Sequence, residues 1–248
     1  RFGSARHGRG WIGRFMLQGD FEGALKLALA TPAREDRPGI KAAKKYIAAH
    51  WGKWQDCLGQ VAHNAERAVL SHLASRPSDF QGALNRLPSR LLYVYLAAYQ
   101  SFLWNETASE CVTQSLPAGQ RVSWPCGFGD FIFYTDLGAE HAVHFRDLMI
   151  PLLGHKSEIV DPAIRQIADN LLRREGISLP DFRLPRIKGA FFKAGQRRLI
   201  VQPTDATIGE PMPDEAYPGR FACTVRFTLP PGSYATIFVK RLQAGVGC

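Results

Sequence analysis

The chain has 248 residues, of which 46% are hydrophobic and 11% aromatic, enough to bury the core of one or two globular domains and to exclude a disordered protein. Its 31 Lys and Arg against 22 Asp and Glu give a formal net charge of +9, which favours partners that carry phosphate groups. A surplus of solvated surface charge is the alternative interpretation.

The cysteines and the hydropathy exclude other classes of protein. Cys57, Cys111, Cys126, Cys223 and Cys248 are odd in number, lie far apart and form no Cys-x-x-Cys pair, so neither a disulfide framework nor a metal site is expected. No apolar run is long enough for a membrane span, and the N-terminus lacks the apolar core of a signal peptide. We therefore expect a soluble, cytoplasmic protein.

The first half of the chain is predicted to be helical after a basic start. Arginine and glycine dominate the first 19 residues, which predicts a mobile loop that either touches RNA or is an ordinary surface loop. From Asp20 to about Ser115, apolar residues recur at three- and four-residue spacing, as in amphipathic helices. Such segments are expected at 40–51 and 54–74. The longest helix is expected from Ser89, as N-cap, to Thr113, with a buried aromatic stripe.

The second half is predicted to change from helix to strand. We expect a loop and then a strand at Phe131–Tyr134, followed by a helix that Asp161 and Pro162 begin and Gly176 ends. Beyond it, the periodicity shifts from 3.6 towards 2, which predicts a linker and a domain boundary near residues 180–188.

The last sixty or so residues predict strand, loop, strand and helix. The strands are expected at 199–201 and 221–229, and Ser233 is expected to cap the helix. Because an isolated pair of strands is marginal in water, these strands need further sheet partners. The first methionine is Met16, so we expect those partners upstream of Arg1.

Four short motifs occur in a fixed order along the chain. They are Arg1-Phe2-Gly3, a Ser-x-x-x-Asn element at 101–105, the run 195–203 (Gly-Gln-Arg-Arg-Leu-Ile-Val-Gln-Pro), and 229–236 (Leu-Pro-Pro-Gly-Ser-Tyr-Ala-Thr) followed by Lys240-Arg241. With them, the sequence resembles the TruD family of tRNA pseudouridine synthases from Arg1 to about Leu242. One departure is Cys126-Gly127-Phe128-Gly129-Asp130, where relatives often carry Thr-Gly-Pro, and it leaves the RNA contacts of that segment open.

The resemblance implies an α+β fold, part of a pseudouridine synthase mixed-sheet catalytic domain interrupted by a largely helical insertion domain. On that pattern, residues 1–19 would end a catalytic-domain motif and add an Arg/Gly-rich loop. Residues 20–186 would form the insertion domain, and residues 187–248 would return into the catalytic domain. The predicted change of periodicity falls where this layout requires it.

The resemblance also implies a reaction, the isomerisation of uridine 13 of tRNA to pseudouridine without a metal or cofactor, by a monomer whose partner is tRNA. Family members place the catalytic aspartate in a Gly-x-Lys-Asp segment, and none occurs here, so this residue is expected upstream of the chain. The alternative is a non-catalytic RNA-binding module that retains the scaffold. A helical protein-interaction domain would leave the last residues unexplained.

The site residues expected to bind RNA are basic, aromatic or part of the motifs. Arg197 or Arg198, on a strand edge, would pair with a carboxylate or an RNA phosphate, and Ser233 would offer backbone N–H groups to an anion. Asp130, Asp136 and Asp205 are interpreted as caps and turns rather than catalytic groups. The full set is Arg1, Phe2, Gly3, Arg6, Arg9, Arg197, Arg198, Ser233 and Tyr234.

Overall fold

The chain divides into two units, each built from two stretches of sequence. The computed structural model describes residues 6–7, 10–62, 64–126 and 129–245. Unit 1 comprises Arg1–Cys111 and Ile150–Gln196, and unit 2 comprises Val112–Met149 and Arg197–Cys248. The units do not follow the expected layout of 1–19, 20–186 and 187–248, which stays a prediction about the relation to the family.

The N-terminal half is helical, as the spacing of apolar residues predicts. Its elements are β1 (Arg6–His7), β2 (Gly10–Trp11), α1 (Ile12–Leu17), α2 (Phe21–Ala30), α3 (Pro38–Ala49), α4 (Trp54–Leu58), α5 (Asn64–Ser75), α6 (Phe80–Leu84) and α7 (Ser89–Ser115). The loop predicted for the first 19 residues is wrong over α1, because Ile12 and Met16, one turn apart, are fully buried. The segment predicted at 54–74 is divided into α4 and α5.

The remaining elements mix short strands and helices. They are β3 (Arg121–Cys126), β4 (Gly129–Tyr134), α8 (Ala139–Asp147), β5 (Met149–Pro151), α9 (Pro162–Glu175), β6 (Gln196–Arg198), β7 (Thr204–Ile208), β8 (Met212–Pro213), β9 (Phe221–Ala222), β10 (Val225–Thr228) and α10 (Ala235–Gly245). Among the described residues the strands pair two by two: β1 with β2, β3 with β4, β5 with β6, β7 with β10 and β8 with β9. The expected α+β class is confirmed.

Several expectations for the strands are wrong in detail. No strand forms at 199–201, where one was expected. β6 lies just before it and ends at Arg198, and Leu199 and Ile200 pack on an apolar cluster of unit 2 instead. The single strand expected at 221–229 is divided into β9 and β10, which pair with different partners. β3, predicted as loop, forms a hairpin with β4 in continuous register from Arg121 opposite Tyr134 to Cys126 opposite Gly129.

The core of unit 1 is centred on the predicted stripe of α7. Leu92, Leu96, Tyr99 and Leu103 lie at helical spacing and are fully buried. Burial of a large apolar side chain stabilises a fold by about 1.5–3 kcal/mol, so each of these four side chains contributes substantially to the stability of the unit.

α9 begins and ends where local chemistry predicts. The Asp161 side chain accepts hydrogen bonds from the backbone N–H groups of Ala163 and Ile164, and Pro162 occupies the first helical position. Gly176 ends the helix in the left-handed conformation, φ 67°, which glycine adopts without a steric penalty. The sequence prediction for this helix is confirmed.

The core of unit 2 is smaller. Its buried centre is Val112, Leu116 and Phe145, and side chains from β4 and from the segment after β6 pack against it: Ile132, Tyr134, Leu137, Leu199 and Ile200. α10 packs on β3, and the rings of Phe227 and Phe238 lie 4.4 Å apart between β10 and α10. The hairpin, α8 and α10 therefore form the ordered centre of this unit.

We expect Gly13→Ala to destabilise unit 1, because a Cβ at this position would lie 2.7 Å from the Tyr95 carbonyl oxygen and 2.9 Å from Tyr99 Cβ. These atoms belong to α7 and cannot yield without moving the helix, so the free energy of unfolding should fall by about 1–3 kcal/mol in urea denaturation. Gly39→Ala in α3 is the control, since a Cβ there meets nothing within 4 Å and alanine favours the helix. Equal midpoints for the two variants would refute the close approach of α1 to α7.

We expect the stability to depend on the charge of Asp79. Its Oδ1 accepts from the Gly82 backbone N–H at 2.8 Å, its Oδ2 lies 2.8 Å from His72 Nε2, and Arg86 Nε donates to His72 Nδ1. The hydrogen bond from Gly82 and then that from His72 hold the pKa of Asp79 below its ordinary value. A depressed carboxyl pKa contributes stability above the unfolded pKa of about 3.9, and this is lost as the pH falls through the folded pKa.

Asp79→Asn keeps an acceptor for the helix cap but removes the charge. The urea midpoint of this variant should therefore lie below that of the wild type at neutral pH, and the difference should vanish in acid. Asp169→Asn, at an exposed carboxylate of α9 that has no contact among the described residues, should change the midpoint at neither pH. A difference for Asp79→Asn that persists in acid would contradict this linkage.

Candidate nucleic-acid interface

The structure describes only some of the residues predicted to bind RNA. Arg1, Phe2, Gly3 and Arg9 lie outside the described residues. The backbone of Arg6 pairs with Trp11 in the β1–β2 ladder, and its side chain is not described. The roles of these residues stay predictions.

The structure brings Arg197 and Tyr234 together in unit 2. The guanidinium carbon of Arg197 lies 5.8 Å from the centroid of the Tyr234 ring, at the outer limit of a cation–π interaction. Tyr234 is 49% exposed, so part of its ring remains open to solvent while Arg197 lies beside it. An aromatic face and a cation in contact suit a base and its phosphate.

Arg198, the other predicted arginine, is exposed on β6. Its Nη1 donates a hydrogen bond to the backbone carbonyl of Arg146, near the end of α8, at 3.2 Å. A guanidinium has five N–H donors, so this bond leaves donors for an anion. This hydrogen bond orients the Arg198 side chain but leaves its other N–H donors available to a ligand.

The expected capping role of Ser233 is wrong. α10 begins at Ala235, and the backbone N–H of Ser233 donates to the Pro230 carbonyl at 3.2 Å within a turn. The Tyr234 carbonyl accepts the first hydrogen bonds of the helix, from Ile237 and Phe238. Pro230, Pro231 and Gly232 favour a tight turn at this position, which delays the start of the helix by one residue.

α10 carries two further cations that lie over aromatic rings of β4. Lys240 Nζ is 4.9 Å from the centroid of Phe131, and Arg241 Cζ is 5.1 Å from that of Tyr134. Arg241 Nη2 also donates to the Thr135 carbonyl at 3.1 Å. The sequence predicts the strand and the basic pair separately but not their contact, which joins residues about a hundred positions apart.

We call these three pairs, Arg197–Tyr234, Lys240–Phe131 and Arg241–Tyr134, the cation–aromatic surface. All six residues belong to unit 2, and α10 or the residue before it contributes to each pair. Cations attract phosphates without regard to sequence, and aromatic rings stack on bases. The arrangement therefore suits an RNA ligand, and none of these six side chains is a carboxylate or a thiol.

The surroundings of Asp130, Asp205, Cys111 and Glu106 mark none of these four as a nucleophile. Asp130 accepts from the Ser123 hydroxyl at 2.6 Å across the hairpin, and Asp205 is exposed with a φ of 53°. Burial raises the pKa of Cys111 to about 12, so its thiol stays protonated at neutral pH. Burial also raises the pKa of Glu106, whose carboxylate pairs with Arg174 at 2.9 Å in unit 1.

The part of the chain that the structure describes holds neither a metal-binding cluster nor a membrane-spanning helix. No three His, Cys, Asp or Glu side chains lie in a group that could hold a metal ion there. None of the helices described is both long and apolar enough to cross a membrane.

The chain matches known proteins along nearly its whole length. A family model described as tRNA pseudouridine synthase D (TruD) matches residues 1–242. A Methanococcus maripaludis protein named "Probable tRNA pseudouridine synthase D 1" is 29% identical over 98% of this chain and 62% of its own length. The Aquifex aeolicus protein named "tRNA pseudouridine synthase D" is 28% identical over 98% of this chain and 59% of its own length.

A solved structure has the same fold. The Methanosarcina mazei crystal structure, named as a TruD protein, superposes with a TM-score of 0.70 at 23% identity and covers 93% of this chain and 56% of that chain. At this identity the likeness establishes the fold alone. The chain thus spans about three fifths of the length of the curated relatives it matches.

We expect Arg241→Ala to destabilise unit 2 by about 1–2 kcal/mol, because it removes a charged hydrogen bond to Thr135 and a cation–π contact. Arg226→Ala is the matched control, since the Arg226 side chain is exposed on β10 and makes no hydrogen bond or ion pair within the described ranges. Thermal unfolding of both variants would measure the difference. Equal melting temperatures would mean that the contacts between α10 and the hairpin contribute nothing to stability.

Proposed function

The chain belongs to the TruD family of tRNA pseudouridine synthases, and we propose that the full-length protein converts uridine 13 of tRNA to pseudouridine. The observation that carries this proposal is the match of the family model to residues 1–242, which covers both units rather than one motif. The names of the curated relatives and the cation–aromatic surface of unit 2 support it.

The chemistry requires the target base to leave its stack. An enzyme that acts on a base within folded RNA must extrude that nucleotide, hold it against an apolar or aromatic wall and read it through polar groups. We propose that Arg197 and Arg198 contact the phosphates near the target and that the open part of the Tyr234 ring contacts a base or ribose. These roles need no metal or cofactor.

We propose that the reactive aspartate is not among the 248 residues. None of them forms the Gly-x-Lys-Asp segment in which the family places it, and Asp130, Asp136 and Asp205 are all exposed. The β7–β10 region supports the proposal, because it exposes apolar side chains that further strands of the same protein would cover. Ile208 is 65%, Met212 67% and Phe221 73% exposed.

Comparing two proteins would test this assignment. The gene product that includes any coding sequence before Arg1, incubated with unmodified tRNA, should produce pseudouridine at position 13, detected as a carbodiimide-dependent stop in reverse transcription. The 248-residue chain alone should bind tRNA, with an affinity that falls steeply as salt is added, and should leave the uridine unchanged. Pseudouridine formed by the chain alone would overturn the proposal for the aspartate.

The non-catalytic RNA-binding module remains the second candidate, because the chain lacks the Gly-x-Lys-Asp segment. It predicts tRNA binding without modification even for the longest gene product. We further propose a monomer in the cytoplasm, from the scattered cysteines and the tRNA partner.

We expect Arg198→Ala, in the full-length protein, to lower kcat/KM for tRNA by about 10- to 100-fold, as the loss of a charged hydrogen bond to phosphate would. Arg173→Ala is the control: Arg173 is also exposed, but it lies on α9 in unit 1 and donates to Asn170. Single-turnover measurements separate binding from chemistry. Unaltered turnover by Arg198→Ala would refute the role of this residue.

A further inference from the structure

A second basic segment lies in unit 1, outside the cation–aromatic surface. We call residues 183–193, between the end of α9 and β6, the basic strap. It carries Arg183, Arg186, Lys188 and Lys193, and from Phe182 to Thr204 the sequence contains no Asp or Glu. All four of these side chains are exposed. A segment with this charge has a local positive potential that the net charge of the protein does not explain.

Side chains of α6 and its C-cap hold the backbone of the strap. Asn85 Nδ2 donates to the Arg186 carbonyl at 3.0 Å, and Asn85 Oδ1 accepts from the Lys188 N–H at 2.7 Å. Gln81 Nε2 also donates to the Arg186 carbonyl. The Asn85 side-chain amide thus both donates to and accepts from the backbone of the strap, as a neighbouring strand would in a sheet. These hydrogen bonds fix the position of the strap backbone.

Two more contacts fix the strap on α7. Gly189 has a φ of 72°, and a Cβ there would lie 2.7 Å from Ser89 Oγ, so the backbone reaches the start of the helix only because this residue is glycine. Gln100, buried on α7, donates to the Lys193 carbonyl at 3.0 Å. The strap is therefore held at both ends.

Phe191, exposed on this fixed backbone, pairs with a half-buried ring of α7. The ring of Phe191 stacks on that of Tyr93 in α7, with centroids 5.0 Å apart and planes 26° from parallel. Phe191 is 58% exposed, while its neighbour Phe192 packs inward against Phe182. The contact with Tyr93 leaves more than half of Phe191 open to solvent, so the ring is available to stack on a ligand.

The cations around this pair are available to a ligand. Lys188 and Lys193 flank Phe191 along the strap, and Arg90 lies one turn before Tyr93 on α7. Within the described ranges, none of these three side chains makes a hydrogen bond or an ion pair. Exposed aromatic rings among unpaired cations are the features with which proteins bind single-stranded nucleic acid.

We propose that the basic strap is a platform for unpaired RNA, on which a base stacks against Phe191 while Lys188, Lys193 and Arg90 contact the flanking phosphates. The choice of RNA rests on the proposed function, and the stacking surface rests on the geometry of Phe191 and Tyr93. Because Asn85, Gln81 and Gln100 already fix the backbone, binding orders few groups that were mobile before. In a duplex the bases are already stacked on one another, so none is available to stack on the Phe191 ring.

Fluorescence anisotropy with the full-length protein tests the platform. The probes are a labelled oligouridylate and, as a ligand control, a blunt RNA duplex of the same length. Phe191→Leu should weaken oligouridylate binding by about 5- to 30-fold and leave the salt dependence unchanged, whereas Phe191→Tyr, which keeps the ring, should bind as the wild type does. Duplex binding should be unaffected by either substitution.

Replacing the lysines of the strap should instead change the salt dependence of RNA binding. Lys188→Gln with Lys193→Gln should lower the slope of log Kd against log salt by about 1.4, since each phosphate contact to a single strand contributes about 0.7. Equal oligouridylate affinity for Phe191→Leu and the wild type would overturn the platform. A second result would also overturn it: polyglutamate displaces the labelled oligouridylate, and it does so equally well from the wild type and from Phe191→Leu. The strap would then bind acidic protein through its charges alone.

The outcome for the platform can be told apart from that for the proposed function. If the protein forms pseudouridine in tRNA but Phe191→Leu binds oligouridylate normally, the platform is wrong and the proposed function stands. If Phe191→Leu loses affinity but the protein forms no pseudouridine, the platform stands and the proposed function is wrong. Phe191 is exposed, so the urea midpoint of Phe191→Leu should match that of the wild type and exclude misfolding as the cause.

Discussion

The burial of one face of α7 is the constraint on which unit 1 depends. Leu92, Leu96, Tyr99 and Leu103 have no exposed surface, and Gly13 lets α1 approach the helix backbone closely. The same helix uses its polar positions to hold irregular segments, since the Gln100 side chain donates to the carbonyls of Leu153 and Lys193. A rigid helix thus determines where the loops around it lie, and with them any RNA contacts that those loops make.

Unit 2 is stabilised differently, because its buried centre is small. Burying Phe145 contributes about 1.5–3 kcal/mol, and each exposed cation–π pair adds about 0.5–1 kcal/mol, so the pairs of α10 are a sizeable fraction of what holds this helix. Lys240 and Arg241, which fasten α10, are only partly exposed, and Arg241 Nε is buried. In unit 2 the same cations thus stabilise the fold and form the cation–aromatic surface, whereas in unit 1 the buried helix face and the basic strap use separate residues.

The sequence predicted best those elements whose signals are local. Asp161, Pro162 and Gly176 each act within a few residues of themselves, so both ends of α9 are as expected. The strands of unit 2 were predicted poorly, because β7 and β8 lie in a segment of proline, glycine and acidic residues without alternation. Their pairing with β10 and β9 is a long-range property that no local pattern specifies. The start of α10 was misplaced for a third reason, that the turn closed by the Ser233 N–H on the Pro230 carbonyl extends up to Tyr234, the residue before the helix.

By itself the sequence determined the helical first half, the change of periodicity near residue 185 and the resemblance to a family, because these depend on spacing and on residue order. Only the tertiary structure decided which cations lie beside which rings and which residues hold the basic strap. The contacts between Asn85 and Lys188 and between Arg241 and Thr135 span 103 and 106 positions along the chain. Contacts at that separation depend on how the whole chain packs around its buried core, so no pattern of neighbouring residues specifies them.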